Sequence, residues 1–266
     1  MSKDANAGAR RRLTGGGRRG FTDSAAQMNL ILFEASEIGA PLARGDVRAK
    51  HIVDVLRRRE GETFDAGVVN GPRGKGTVRA IGAEALTLEF AWGEPPAALD
   101  RIRLIVGLPR PQTARDILRD ATTLGVTRLD FVLTEKGEPS YARATLWSDG
   151  EWRRQLLAGA AQAFDTRIPE VAVGRTLAET LVGLPASRGR LGLDNYEATR
   201  GLSQAGLDAT GEVVLAIGPE RGWAAGDRAQ LRDHGFTLVH LGPRVLRTET
   251  AVTAALTLVQ ARRGRF

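Results

Sequence analysis

The chain has no cysteine among its 266 residues, which excludes disulfides and thiolate metal sites and fits a reducing, cytoplasmic location. Its three histidines, His51, His234 and His240, form no histidine–carboxylate cluster in the sequence, so no metal is expected. No apolar run approaches the roughly 20 residues that a membrane-spanning helix needs. The amino terminus lacks the apolar stretch of a secretory signal. Two nucleotide signatures are also missing. There is no phosphate loop carrying a lysine, which argues against a nucleotide hydrolase, and no G-x-G-x-x-G after the first strand, which argues against a dinucleotide dehydrogenase.

What is present describes a globular chain with 42% apolar residues, long enough for two domains. The net charge is +7, but it is unevenly spread. Residues 1–22 hold Lys3, Arg10, Arg11, Arg12, Arg18 and Arg19 against Asp4 alone, a balance of +5, so only +2 remains for the rest. Residues 1–27, rich in Gly, Ala, Ser and Arg, bury too little apolar surface to offset ordering entropy and are expected to be disordered. They read equally as an RNA-binding arm or as a solvated tail.

From Met28 to Trp92 the pattern is one of short strands and turns. Asn29–Phe33, Thr63–Val69, Gly76–Ile81 and Leu86–Phe90 read as strands, Val47–Leu56 as a short helix, and Asn70-Gly71 as a tight turn. A small β-barrel over residues 28–95 is expected, with Glu94-Pro95-Pro96 as a stiff boundary. Beyond it strands and helices alternate. Ile102–Leu108, Arg128–Leu133, Val171–Val173, Leu191–Leu193, Val213–Ile217 and Phe236–Leu241 are strand-like, and Thr113–Leu124 and Glu151–Phe164 are helical. That rhythm implies an α/β domain over residues 96–266 with a largely parallel sheet covered on both faces.

Two glycine-proline turns follow apolar strands, Gly218-Pro219-Glu220-Arg221-Gly222 after Val213–Ile217 and Gly242-Pro243-Arg244 after Phe236–Leu241. A third segment, Leu246-Arg247-Thr248-Glu249-Thr250-Ala251, opens a helical run. In such sheets, loops at the carboxyl ends of adjacent strands hold small ligands. Pro219 removes an N–H donor and stiffens its turn, which suits a ligand held by carbonyls and shape, such as an adenosine. Thr248 and Glu249 fit an ordinary helix start, as cap and first-turn acid. Arg247 does not, because a cation is disfavoured at a helix amino terminus, and that mismatch points to function.

The segments IGPERGW and LGPRVLRTETA closely resemble the carboxyl-terminal motifs of the RsmE family, SPOUT-superfamily enzymes that methylate N3 of a uridine in small-subunit ribosomal RNA with S-adenosylmethionine. HIVDVLRRREGETF at 51–64 resembles that family's PUA-like amino-terminal barrel, and the likeness also takes in 108–126 and 160–171. The resemblance implies a trefoil-knotted carboxyl-terminal domain and a homodimer with the last helix in its interface. It assigns the cofactor to Leu193, Ile217, Gly218, Pro219, Glu220, Gly222, Leu241, Gly242, Val245, Leu246, Arg247 and Thr248, with Asp194 beside them. Arg247 is expected to stabilise the uracil anion and Glu249 or solvent to take its proton; a phosphate contact is an equal reading of Arg247. The implied partner is ribosomal RNA or the small ribosomal subunit.

Arg44, Arg48, Lys50, His51, Arg57, Arg58 and Arg59 form a basic cluster that, with Arg110, is the expected RNA surface; the alternative is a solvated helix balanced by Asp46, Asp54 and Glu60. The chain departs from the family pattern at several places. Arg110 and Arg119 stand where lysines are usual, Thr123 for a glutamate, Asp165 for an arginine, and Arg221 for a glycine, while Trp223 replaces an aromatic that is often phenylalanine. Thr123 and Asp165 together suggest a rearranged polar site. Two other readings therefore stay open, a SPOUT methyltransferase with a different RNA target and a non-catalytic RNA-binding or ribosome-assembly protein.

Overall fold

The computed structural model describes residues 30–185, 189–207 and 210–265. The tail expected to be disordered, residues 1–27, lies outside the described residues.

The first sheet contains β1 (Ile31–Phe33), β2 (Leu42–Ala43), β3 (Thr63–Val68), β4 (Arg73–Ile81) and β5 (Ala85–Trp92), in the order β1-β3-β4-β5-β2. β3, β4 and β5 form the antiparallel meander expected from their alternating residues, whereas β1 joins β3 in parallel. β1 and β2 end at opposite edges, so the expected barrel is a curled, open sheet. Asn70 adopts the left-handed conformation, φ +57°, in the β3–β4 turn. The same asparagine docks the sheet onto the following domain: its N–H donates to the Thr166 carbonyl at 2.8 Å, and its Oδ1 accepts from the Ile168 N–H at 3.0 Å. Asp46 caps α1 (Val47–Lys50), which continues as a π-helical turn over His51–Val55. Ala49 and Ile52 enter a core with Phe33, Phe64 and Leu86.

The second sheet contains β6 (Ile102–Gly107), β7 (Arg128–Leu133), β8 (Glu170–Thr176), β9 (Gly189–Leu193), β10 (Val213–Ile217) and β11 (Thr237–Val239). Its order is β11-β9-β10-β6-β7-β8, and every pair is parallel. Around it lie α2 (Pro111–Thr123), α3 (Thr145–Ser148), α4 (Glu151–Gln162), α5 (Leu177–Val182), α6 (Ala225–Asp233) and α7 (Thr248–Arg262). β6 is buried at every position. Ile102, Leu104 and Val106 face one core with residues of α2, α4 and α7, while Ile105 faces a second core with residues of α5 and α6. Coverage of both faces is why the strands read as continuous apolar runs rather than alternating ones.

β10 slots between β9 and β6, although β9 precedes it in the chain. The segment after β9 lies against the one after β11, where Gly201 bridges His240 and Leu202 N–H donates to the His240 carbonyl at 2.9 Å. The turn Leu202–Gln204 in turn packs on α7. This is the interleaving that a threaded carboxyl-terminal chain needs. It brings the carboxyl ends of β6, β9, β10 and β11 to one edge.

α2 and α4 cross at Gly159, where a Cβ would fall 2.9 Å from Thr122 Cβ and closer still to the Arg119 carbonyl oxygen. Substituting Gly159→Ala overpacks this crossing. It is expected to cost about 1–3 kcal/mol and to lower the thermal midpoint by several degrees; an unchanged midpoint contradicts the close-crossing account.

Candidate active site

A cavity of about 720 Å³ opens at that sheet edge, within the range typical of small-molecule sites. Four loops wall it: Arg110 and Thr113 after β6, Leu193 to Tyr196 after β9, Ile217 to Trp223 after β10, and Leu241 with Arg244 to Glu249 and Ala251 after β11. Of the residues expected to touch a cofactor, Leu193, Ile217, Gly218, Pro219, Glu220, Gly222, Leu241, Val245, Leu246, Arg247 and Thr248 all line it, as do Asp194 and Glu249. Gly242 does not; it shapes the turn behind the wall, at φ +109° and with its N–H donating to His240 Nδ1 at 3.0 Å.

The loops are tied together near their roots. Trp223 is 1% exposed, and its Nε1 donates to the Leu193 carbonyl at 2.9 Å, joining the loop after β10 to the end of β9. Pro219 packs on Gly107 of β6 so closely that a Cβ there would lie 2.7 Å from the proline nitrogen. Glu220 Oε1 accepts from the Arg110 N–H at 3.0 Å. Asp194 and Arg228 pair at 2.7 Å with both side chains buried, and Asp194 Oδ1 also accepts from the N–H groups of Tyr196 and Glu197. Asp194 therefore holds its loop in shape rather than presenting a free carboxylate.

Arg247 is the residue preceding α7, and its side chain caps nothing. The N–H groups of the first turn of α7 are thus left at the cavity wall, without an intrahelical partner, next to an exposed guanidinium. Arg221 also lines the cavity and is exposed. It enters the family's glycine position without strain, because Gly222, at φ +65°, takes the left-handed part of the turn and Arg221 does not.

Three expectations are corrected. Arg48 is not an outward RNA contact. Its guanidinium donates to both Glu37 oxygens at 2.7 Å, to Asp46 and to the Leu32 carbonyl, and it lies 5.0 Å from the centre of the Phe33 ring. Thr123 and Asp165 do not rearrange a polar site, since neither lines the cavity. Thr123 Oγ1 donates to the Gly159 carbonyl at 3.1 Å in the α2–α4 crossing, and Asp165 accepts from the N–H groups of Thr166 and Arg167 and pairs with the Arg167 side chain. Among the other expected RNA residues, Lys50 and Arg57 are exposed, Arg44, His51 and Arg58 are half-buried, and Arg110 is exposed at the cavity mouth.

Seven wall residues fall outside the expected cofactor, RNA and proton-transfer contacts, Thr113, Asn195, Tyr196, Arg221, Trp223, Arg244 and Ala251, and of these Asn195 and Tyr196 belong to no motif singled out in the sequence. The available signal was a tyrosine in the polar segment Asp194-Asn195-Tyr196-Glu197, directly after an apolar strand.

The model of the RNA methyltransferase domain family matches residues 95–260. Over 244 residues the chain is 35% identical to the ribosomal RNA small subunit methyltransferase E of Treponema pallidum, covering 88% of this chain and 91% of that one. It is 25% identical to ribosomal RNA small subunit methyltransferase E 1 of Borreliella burgdorferi over 86% of this chain and 95% of the relative. Among solved structures, the fold is shared with the ribosomal RNA small subunit methyltransferase E of Neisseria gonorrhoeae bound to S-adenosyl methionine. That match has a TM-score of 0.71 at 24% identity and covers 88% of this chain and 98% of the other. A probable rRNA methyltransferase of Porphyromonas gingivalis matches with a TM-score of 0.75 at 20% identity, covering 88% and 98%. Fold and matched domain define the class, the SPOUT-type RNA methyltransferases. Within that class, the chain belongs to the RsmE family of small-subunit ribosomal RNA methyltransferases.

The Arg48 cluster carries a pH signature. The Arg48 hydrogen bonds hold the carboxyls of Glu37 and Asp46 below their ordinary values. A carboxyl whose folded value is depressed adds stability above its unfolded value of about 4, and loses it as pH falls through the folded one. Arg48→Met should therefore lower the stability of the amino-terminal sheet at pH 7, and the gap to wild type should close towards pH 3 in chemical denaturation. A gap independent of pH contradicts the pairing.

Proposed function

We propose that this member of the RsmE family transfers a methyl group from S-adenosylmethionine to N3 of a uridine in small-subunit ribosomal RNA. The observation that carries the reading is the convergence of three loops and the uncapped start of α7 on one cavity. The residues present fit the cofactor. Leu193, Ile217, Leu241 and Leu246 offer apolar walls for an adenosine, and the free N–H groups of α7 suit the carboxylate of its methionine part. When bound, the cofactor supplies an electrophilic methyl on a sulfonium.

The chain's own contribution is alignment and charge. Uracil N3 becomes nucleophilic as its proton leaves; its lone pair then forms the bond to the methyl carbon while the carbon–sulfur bond breaks. Arg247, exposed at the cavity wall, stabilises the negative charge that develops on the uracil. Glu249, on the first turn of the same helix, takes the proton. Holding base and methyl in line supplies up to roughly 7–11 kcal/mol in ideal cases.

Residues 28–95 form the RNA-binding unit of this reading, with Lys50, Arg57 and Arg58 contacting phosphates, and residues 96–266 the catalytic unit. The protein acts as a cytoplasmic homodimer through α7, whose Ala251, Ala254 and Leu258 are only partly covered in one copy. No helix among the described residues is long and apolar enough to cross a membrane.

Incubation with small ribosomal subunits from a strain lacking the gene, followed by mass-spectrometric mapping, is expected to show one methylated uridine; methylation of another base, or none, overturns the proposal. Arg247→Ala is expected to slow single-turnover methyl transfer at saturating RNA by about 100-fold or more while leaving RNA affinity largely intact. Lost RNA affinity with intact chemistry would make Arg247 a phosphate contact instead. Glu249→Gln should slow the same step and flatten its pH dependence; an unchanged profile would assign the proton to water.

A further inference from the structure

Tyr196 is 78% exposed, yet its position is fixed from behind. Its N–H donates to Asp194 Oδ1 at 2.9 Å, and the guanidinium of Arg228, whose side chain is 8% exposed, lies 5.3 Å from the ring centre. Arg228 is itself held by Asp194 at 2.7 Å. The ring belongs to no hydrophobic core cluster, but it lines the cavity and reaches the tight turn at Gly222, where a Cβ would sit 3.8 Å from Tyr196 Cε2. An exposed aromatic normally moves freely between rotamers. One that is braced by a buried ion pair and aimed along a cavity wall is a pre-organised flat surface.

We propose that Tyr196 is the stacking platform for the target nucleobase, which must leave the RNA stack before its N3 edge can meet the methyl group. Enzymes that modify a base extrude it, and RNA-binding proteins hold unstacked bases against aromatic rings. The cavity's less accessible apolar residues, Leu193, Ile217 and Leu241, serve the cofactor's adenine. Tyr196, at the exposed rim, meets what enters from outside. Arg228, its charge matched by Asp194, serves as a flat brace behind the ring and holds it in place for a base stacking in front. This inference rests on the methyltransferase reading above.

The test uses the full-length protein, small ribosomal subunits from a strain lacking the gene, and S-adenosylmethionine. Tyr196→Ala and Tyr196→Leu should each lower kcat/KM for the subunit by about 5- to 100-fold, while the calorimetric Kd for S-adenosylmethionine stays within about twofold, because the base loses only its platform. Tyr196→Phe, which keeps the ring, should remain near wild type. Wild-type activity of Tyr196→Leu, or a deficit in Tyr196→Phe equal to that of Tyr196→Ala, would overturn stacking in favour of bulk or a hydroxyl role. A parallel loss of S-adenosylmethionine affinity would place the ring over the cofactor instead. If the wild-type protein methylates no RNA, the methyltransferase reading fails and this inference falls with it; if the wild type is active and Tyr196→Ala matches it, only this inference fails.

Discussion

The site depends on loops being fixed at their roots. Four strand ends meet at one edge of a parallel sheet, and each loop is secured by a neighbour's backbone or a buried partner. Trp223 bonds to the Leu193 carbonyl, Pro219 packs on Gly107, and Asp194 pairs with Arg228. Breaking a buried pair by removing one partner leaves an uncompensated charge, costing about 3–5 kcal/mol. The Asp194–Arg228 pair thus sets the shape of the loop after β9 more firmly than any surface contact does. Loops rooted by buried contacts have little freedom left to lose when a ligand binds, which limits the ordering cost.

Charge is divided between structure and surface. Arg48, Arg103, Arg228 and Arg263 are spent on carboxylates within the fold, at Glu37 and Asp46, Asp130, Asp194, and Asp100. Arg221, Arg244 and Arg247 stand exposed around the cavity, and none of the three forms an ion pair among the described residues. A net charge read from composition cannot make that distinction. The body of the chain carries little net charge, yet three exposed cations stand together around the cavity.

Much of the second domain was readable in advance. Periodicity located β6, β7, β10, α2 and α4 to within a few residues, because strands and helices buried this thoroughly leave long apolar signals. The shortest strand, β2, and the pairing of the amino-terminal strand were not readable. β2 has two residues, and the parallel pairing of β1 with β3 is a long-range choice that no local pattern encodes. The site was legible where motifs set the backbone, at Gly218–Gly222 and Leu246–Thr248. It was not legible where a partner from elsewhere decides a side chain's fate. Arg48 at helical spacing from basic neighbours looked outward, but Glu37, 11 positions upstream, draws it in. Thr123 and Asp165 looked like a damaged site and proved to be packing and loop contacts. Tyr196 gave only a faint signal, since its meaning comes from Arg228 behind it.

On the proposed reading, the loops after β9, β10 and β11 and the start of α7 enclose one cofactor. Hydrogen–deuterium exchange with and without S-adenosylmethionine tests it most directly. Slower exchange is expected to be confined to residues 193–197, 217–224 and 241–251, with the sheet at 31–92 unchanged. No protection in those three segments, or protection centred elsewhere, would contradict it.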